Sequence, residues 1–170
     1  MANRPPLDAL PLKLLPRPGQ KPPLYHYGFP YTDKYAIGYA RRHHLTIPVA
    51  DEDREAFGGR TILDLADIDD SQIEADKDIR LFAKSISSML MIEDLGRRCG
   101  FTLYQGRPFS KDWDGIVSLW SNHNVEERFG WCPDYEKVID ALKDALNETE
   151  GHESPGAQWW FDWDNDVVRR

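Results

Sequence analysis

Apolar and polar residues follow distinct rhythms along this chain, and each change of rhythm marks an element. From Ser71 to Cys99, the residues Ile79, Phe82, Ile86, Met89, Leu90, Ile92, Leu95 and Cys99 recur mainly every third or fourth position, as on one face of a helix. Arg97 and Arg98 complement the negative end of its dipole, and Gly100 suits a left-handed cap, so the helix is expected to stop there. Ser85, Ser87 and Ser88 weaken its middle, and two shorter helices are the alternative. A second stripe of Tyr135, Val138, Ile139, Leu142, Ala145 and Leu146 predicts a helix from Pro133, in its first turn, to about Asn147.

Upstream, Thr32 as N-cap and Tyr35, Tyr39 and His43 at spacings of four predict a helix to about His44, with Pro48 ending any continuation. A short helix is expected from Val49 to Phe57, since Asp51, Glu52 and Asp53 suit its positive end and Gly58-Gly59 its exit. The stretch Thr61 to Ile68 fits strand and helix equally.

After Gly100 the period shortens. Phe101 to Tyr104 and Gly115 to Trp120 predict strands of a hairpin whose long loop holds Gly106, Pro108 and Asp112. Gln158 to Trp163 predicts a last strand, with Trp159, Phe161 and Trp163 on one face and Trp160 and Asp162 on the other. The expected fold class is therefore α+β, about four helices packed on a small antiparallel sheet of about three strands.

Residues 1–30 are set apart by their prolines. They hold eight of the twelve prolines, a density that excludes helix and favours extended, solvated backbone. This predicts a Pro-rich arm over 1–30 and a single acidic α+β domain over 31–170. Leu7, Leu10, Leu12, Leu14 and Leu15 are more apolar residues than a free linker needs, so part of the arm is expected to lie on a protein surface, its own or a neighbour's.

Charge sharpens the division. Residues 1–44 carry seven Lys/Arg against Asp8 and Asp33, whereas the remainder carries fourteen Lys/Arg against 27 Asp/Glu. A net charge of −8 disfavours nucleic acid and anionic lipid as partners, because both select concentrated cations. No window approaches the span of a membrane helix, and the broken apolar stretch Leu10–Leu15 is too short for a signal peptide. With Cys99 and Cys132 the sole cysteines, there is no disulfide framework; a cytoplasmic or nuclear protein is expected.

Pro22-Pro23-Leu24-Tyr25 resembles the Pro-Pro-x-Tyr ligand of WW domains. The resemblance implies prolines docking between a partner's aromatic rings and the tyrosine filling an adjoining pocket. The same neighbourhood, Tyr25, His26, Tyr27 and Phe29, reads equally as an anchor that fastens the arm to the body. A second cluster is Asp112, Trp113, Asp114, His123 and Trp160, where carboxylates, an imidazole and indoles could hold a sugar or a flat ligand, or perform acid–base chemistry.

Metal motifs fail on spacing. His43 and His44 diverge on a helix, and the oxygen donors from Asp162 to Asp166 and from Asp67 to Asp78 lack the glycine at the sixth position of a calcium loop. No phosphate loop, dinucleotide fingerprint or nucleophile elbow is present, so no cofactor or metal is expected. The functional expectation is a non-catalytic interaction or regulatory domain, its arm contacting a protein partner or a neighbouring subunit. The alternative is a small-ligand or carbohydrate-binding domain, or a small enzyme, built on the second cluster.

Overall fold

The computed structural model describes residues 4–55, 58–132, 134–148 and 154–164. It is a mixed α/β structure with antiparallel sheets. The chain forms two compact units. One comprises the described residues up to Thr32 and from Ile92 onward; the other comprises Asp33–Met91. The sequence reading drew no such division within 31–170.

The first unit is built on a four-stranded sheet. Its strands are β1 (Tyr25–Tyr31), β4 (Tyr104–Gly106), β5 (Gly115–Ser121) and β6 (Gln158–Phe161), in the order β4-β5-β1-β6. The expected arm boundary after Pro30 thus falls inside β1, an inner strand, and residues 25–30 belong to the sheet. Tyr25, Tyr27, Phe29 and Tyr31 alternate with His26, Gly28 and Pro30, which is strand periodicity. The sheet therefore has one strand more than expected.

Register fixes what each face carries. Tyr27 lies opposite Trp120 and Trp159, and stacks on the first at 5.3 Å and against the second at 5.2 Å. His26 lies opposite Ser121 and Trp160 on the other face. An irregularity between Tyr27 and Gly28 shifts the β1–β5 ladder, so that Gly28 faces Ser118. At this step the strands come so close that a Cβ on Gly28 would lie 2.0 Å from the Val117 carbonyl oxygen.

Beyond β4, the Phe109 N–H donates to the Phe161 carbonyl (2.9 Å) and the Trp163 N–H to that of Arg107 (2.8 Å). These bonds tie the segment leaving β4 to the end of β6. Two helices, α4 (Val125–Gly130) and α5 (Tyr135–Leu146), follow β5. Val138, Leu142, Ala145 and Leu146 are the buried stripe of α5, as the pattern predicts. The expected start at Pro133 lies outside the described residues. The six-residue α4 was not anticipated.

The Asp33–Met91 unit holds α1 (Asp33–Arg42), a two-stranded ribbon of β2 (Thr46–Pro48) and β3 (Ile62–Asp64), α2 (Asp70–Ala75) and the start of α3 (Lys77–Cys99). Ala40, Val49, Leu63, Leu65 and Ile68 form its core, with Ile79, Phe82 and Ile86 packed against them. The region 61–68 is both of its readings in turn, strand and then a 3-10 turn at Leu65–Asp67. The expected helix over Val49–Phe57 is reduced to a 3-10 turn at Asp51–Asp53, and Phe57 lies outside the described residues.

The long helix does divide in two, at Asp76 rather than at the serines. The Asp76 carboxylate accepts from the N–H groups of Asp78 and Ile79 (2.7 and 3.2 Å) and so caps α3, while its own N–H closes α2. Asp69 opens α2 in a reciprocal capping box with Gln72. The described residues thus contain five α-helices where about four were expected.

Candidate functional site

The polar residues that the sheet brings together are His26, Ser118 and Asp162, from β1, β5 and the end of β6. His26 Nε2 lies 3.0 Å from Asp162 Oδ2, and its Nδ1 lies 3.1 Å from Ser118 Oγ. Ser118 Oγ in turn donates to the Trp120 carbonyl oxygen (3.1 Å). The ring thus bridges a carboxylate and a hydroxyl, both of its nitrogens engaged, their donor and acceptor roles following the tautomer. Gly106 makes room for the ring: a Cβ there would lie 2.9 Å from the His26 Cγ.

Burial alone would raise the Asp162 pKa. Hydrogen bonds from His26 and the Asp164 N–H, the nearby imidazole charge and the Arg107 N–H outweigh it and hold the carboxyl below its ordinary value. The residue types are those of a serine relay, but with the ring reversed: the acid sits on Nε2 and the serine on Nδ1. Ser118 is 1% exposed and its hydroxyl is turned to Trp120, so no external carbonyl can reach it in this arrangement. What the array does chemically is lock three strands through one charge-assisted chain.

A second polar node joins the arm to this sheet. The side-chain amide of Asn122 donates to the carbonyls of Leu14 (2.6 Å) and Pro23 (2.9 Å), while its oxygen accepts from the Tyr25 N–H (2.8 Å). His123 Nε2 is 2.9 Å from the Pro22 carbonyl oxygen. At the arm's other end Leu7 exchanges both backbone hydrogen bonds with Trp159 (2.9 Å each), Asp8 accepts from Gln158 (2.8 Å), and the Arg4 guanidinium stands 4.0 Å over the Phe161 ring. Replacing the buried Asn122 with alanine removes three hydrogen bonds and strands the Tyr25 N–H. A loss of about 2–3 kcal/mol in urea unfolding is expected, with faster tryptic cleavage after Lys13, the arm's cation between Leu7 and Lys21 that is not followed by proline. Unchanged cleavage would show that the clasp does not hold the arm.

No protein-family model, curated protein or solved structure matches this chain. Its chemistry must therefore be read from its own residues.

The Pro-Pro-Leu-Tyr segment is half-buried and its backbone is engaged. Pro22 and Pro23 are held as above, the Leu24 carbonyl accepts from the Asp162 N–H (3.1 Å), and the Tyr25 ring packs edge-on against Phe161 at 5.3 Å. A WW groove would have to strip this segment from β1 and Asn122 before reading it. The second predicted cluster is spread out. Asp112 and Asp114 are exposed, with the Asp114 N–H bonded to the Tyr31 carbonyl (3.0 Å), whereas Trp160 is buried opposite His26. His123 lies in a small cleft of about 210 Å³ beside Leu15, Asn122 and Glu127, and neither Trp160 nor residues 112–114 line it.

Among the described residues no group of His, Cys, Asp or Glu is placed to hold a metal ion. Asn165 and Asp166, in the weaker calcium pattern, lie outside the described residues. Cys99 and Cys132 are free thiols, and burial pushes both pKa values up. No helix among the described residues is long and apolar enough to cross a membrane.

Sequence reasoning missed the His26–Ser118–Asp162 array because its members are far apart in the chain. One signal was available: Asp162 and Trp160 had been assigned a shared strand face, which asks for a polar partner across the ladder.

Proposed function

We propose that this chain is a non-catalytic protein-interaction module whose basic, Pro-rich arm carries the contact surface. One observation supports this above the others. The arm is fastened at both ends, by Leu7 and by the Asn122 clasp, yet between them Leu12 is 74% exposed and Pro16–Lys21 stand in solvent. A short 3-10 turn over Leu12–Leu14 and a turn closed by Arg17 and Gln20 shape this stretch. A segment already ordered loses less conformational freedom on binding than a free tail would.

The surface is a bare leucine among Lys13, Arg17 and Lys21, on a chain that is otherwise acidic. It suits a partner with an apolar notch and carboxylates around it. The contact then lies on Leu12–Lys21, beside the Pro-Pro-Leu-Tyr segment rather than on it.

The test is affinity capture from the native host with the full chain and with a Leu12→Asp/Lys13→Glu/Arg17→Glu/Lys21→Glu variant. Because these residues are exposed, the melting temperature should hold while at least one captured protein is lost. Identical captured sets would refute the reading.

A further inference from the structure

The Asp33–Met91 unit carries an open groove of about 750 Å³. Its floor is apolar: Leu63 and Ile68 are buried, and Ile79 and Phe82 from the first turns of α3 are half-buried. Its rim is acidic. Asp67 is paired with Arg60 at 2.6 Å, which neutralises both. Asp76 caps α3 through Oδ1, and exposed Asp78 stands beside it, so two negative charges remain over the apolar floor. A site of this kind selects an apolar group with a cation next to it.

The chain itself exposes such a pair, Leu12 and Lys13, on the turn described above. We infer that the groove receives the arm of a second copy, with Leu12 on the floor of Leu63, Ile68, Ile79 and Phe82 and the Lys13 ammonium between Asp76 and Asp78. This rests on the arm being a contact surface and names its partner. The contact joins two different surfaces, so it propagates to a closed ring or reciprocal pair, or else to an open chain of copies. Arg17 and Lys21 add attraction toward the acidic rim, which makes the association sensitive to salt.

Sedimentation velocity on the full chain, from about 1 μM to about 1 mM, covers the affinities of transient contacts. Concentration-dependent association is expected, weakened by salt. Leu12→Asp should raise the dissociation constant at least about tenfold, the loss of an interface anchor. Lys13→Glu and Asp78→Lys should each weaken association, and the double variant Lys13→Glu/Asp78→Lys should recover most of it, which a merely destabilised fold would not do. Circular dichroism on each variant confirms folding.

A full chain that stays monomeric throughout, or a charge exchange that restores nothing, overturns the inference. If host-protein capture is still lost on charge reversal of the arm, the arm reading stands and only the self-association is wrong. If neither capture nor association responds to the arm, both fall.

Discussion

Alanine at Gly28 should destabilise the protein by about 3 kcal/mol or more in urea unfolding, a large share of the stability of a typical domain. The added Cβ would meet the Val117 carbonyl oxygen at 2.0 Å and the Ser118 Cα at 2.9 Å, all backbone atoms that cannot rotate aside. β1 is an inner strand, so moving it disturbs the ladders to β5 and β6 together. Gly130→Ala is the control: a Cβ there meets nothing within 4 Å, and its effect should stay within about 0.5 kcal/mol. Equal losses at the two positions would mean that the close approach of β1 and β5 is not what requires glycine.

The second large effect belongs to His26 and Asp162. Their side chains are 13% and 5% exposed, so removing either partner leaves a buried polar group without its counterpart. His26→Leu and Asp162→Leu are each expected to cost about 3 kcal/mol at neutral pH, with the double variant costing less than the sum. Additive losses, or single losses under about 0.5 kcal/mol, would deny the coupling.

The same pair sets an acid limit. The folded Asp162 carboxyl is held below its ordinary value of 3.8, so the stability it contributes is fully present above that value. It is lost as the pH falls through the lower folded value. Stability measured from pH 5 downward should therefore decline more steeply in the parent than in Asp162→Asn, which has no carboxylate to protonate. Parallel acid limbs would count against the assignment.

How far the sequence foretold this can be judged element by element. α5 and β5 were legible because each buries a simple repeating set: Val138, Leu142 and Leu146 on one side of a helix, and Ile116 to Trp120 in a short apolar run. β1 was hidden although Tyr25, Tyr27, Phe29 and Tyr31 alternate cleanly. The surrounding prolines read as an extended arm and masked the alternation. β6 pairs with β1 only from Tyr25 to Gly28, so Pro30, which lacks an N–H, lies beyond that ladder, and this is not local information.

The break between α2 and α3 was misplaced for a related reason. Ser87 and Ser88 are buried within α3 and do not interrupt it, while the acidic Asp76 ends one helix with its N–H and starts the next with its side chain. Of the candidate site residues, Tyr25, His123 and Trp160 were picked as binding groups. The geometry uses them locally: a ring packed on Phe161, a bond to Pro22, an indole across from His26. Those uses depend on which strands become neighbours, and residue spacing along the chain does not encode that.

His26 pairs with Trp160, so among the described residues the first strand to leave the ribosome waits for the last. At ordinary translation rates the delay is on the order of ten seconds, far longer than a hairpin needs to form. Until β5 emerges Tyr25, Tyr27 and Phe29 have no strand neighbour at all, and until β6 follows β1 is covered on one edge alone. A newborn chain therefore passes through a stage with its stickiest aromatic ribbon uncovered, and nascent-chain crosslinking at Tyr27 should trap chaperones strongly until β5 emerges and cease once β6 follows.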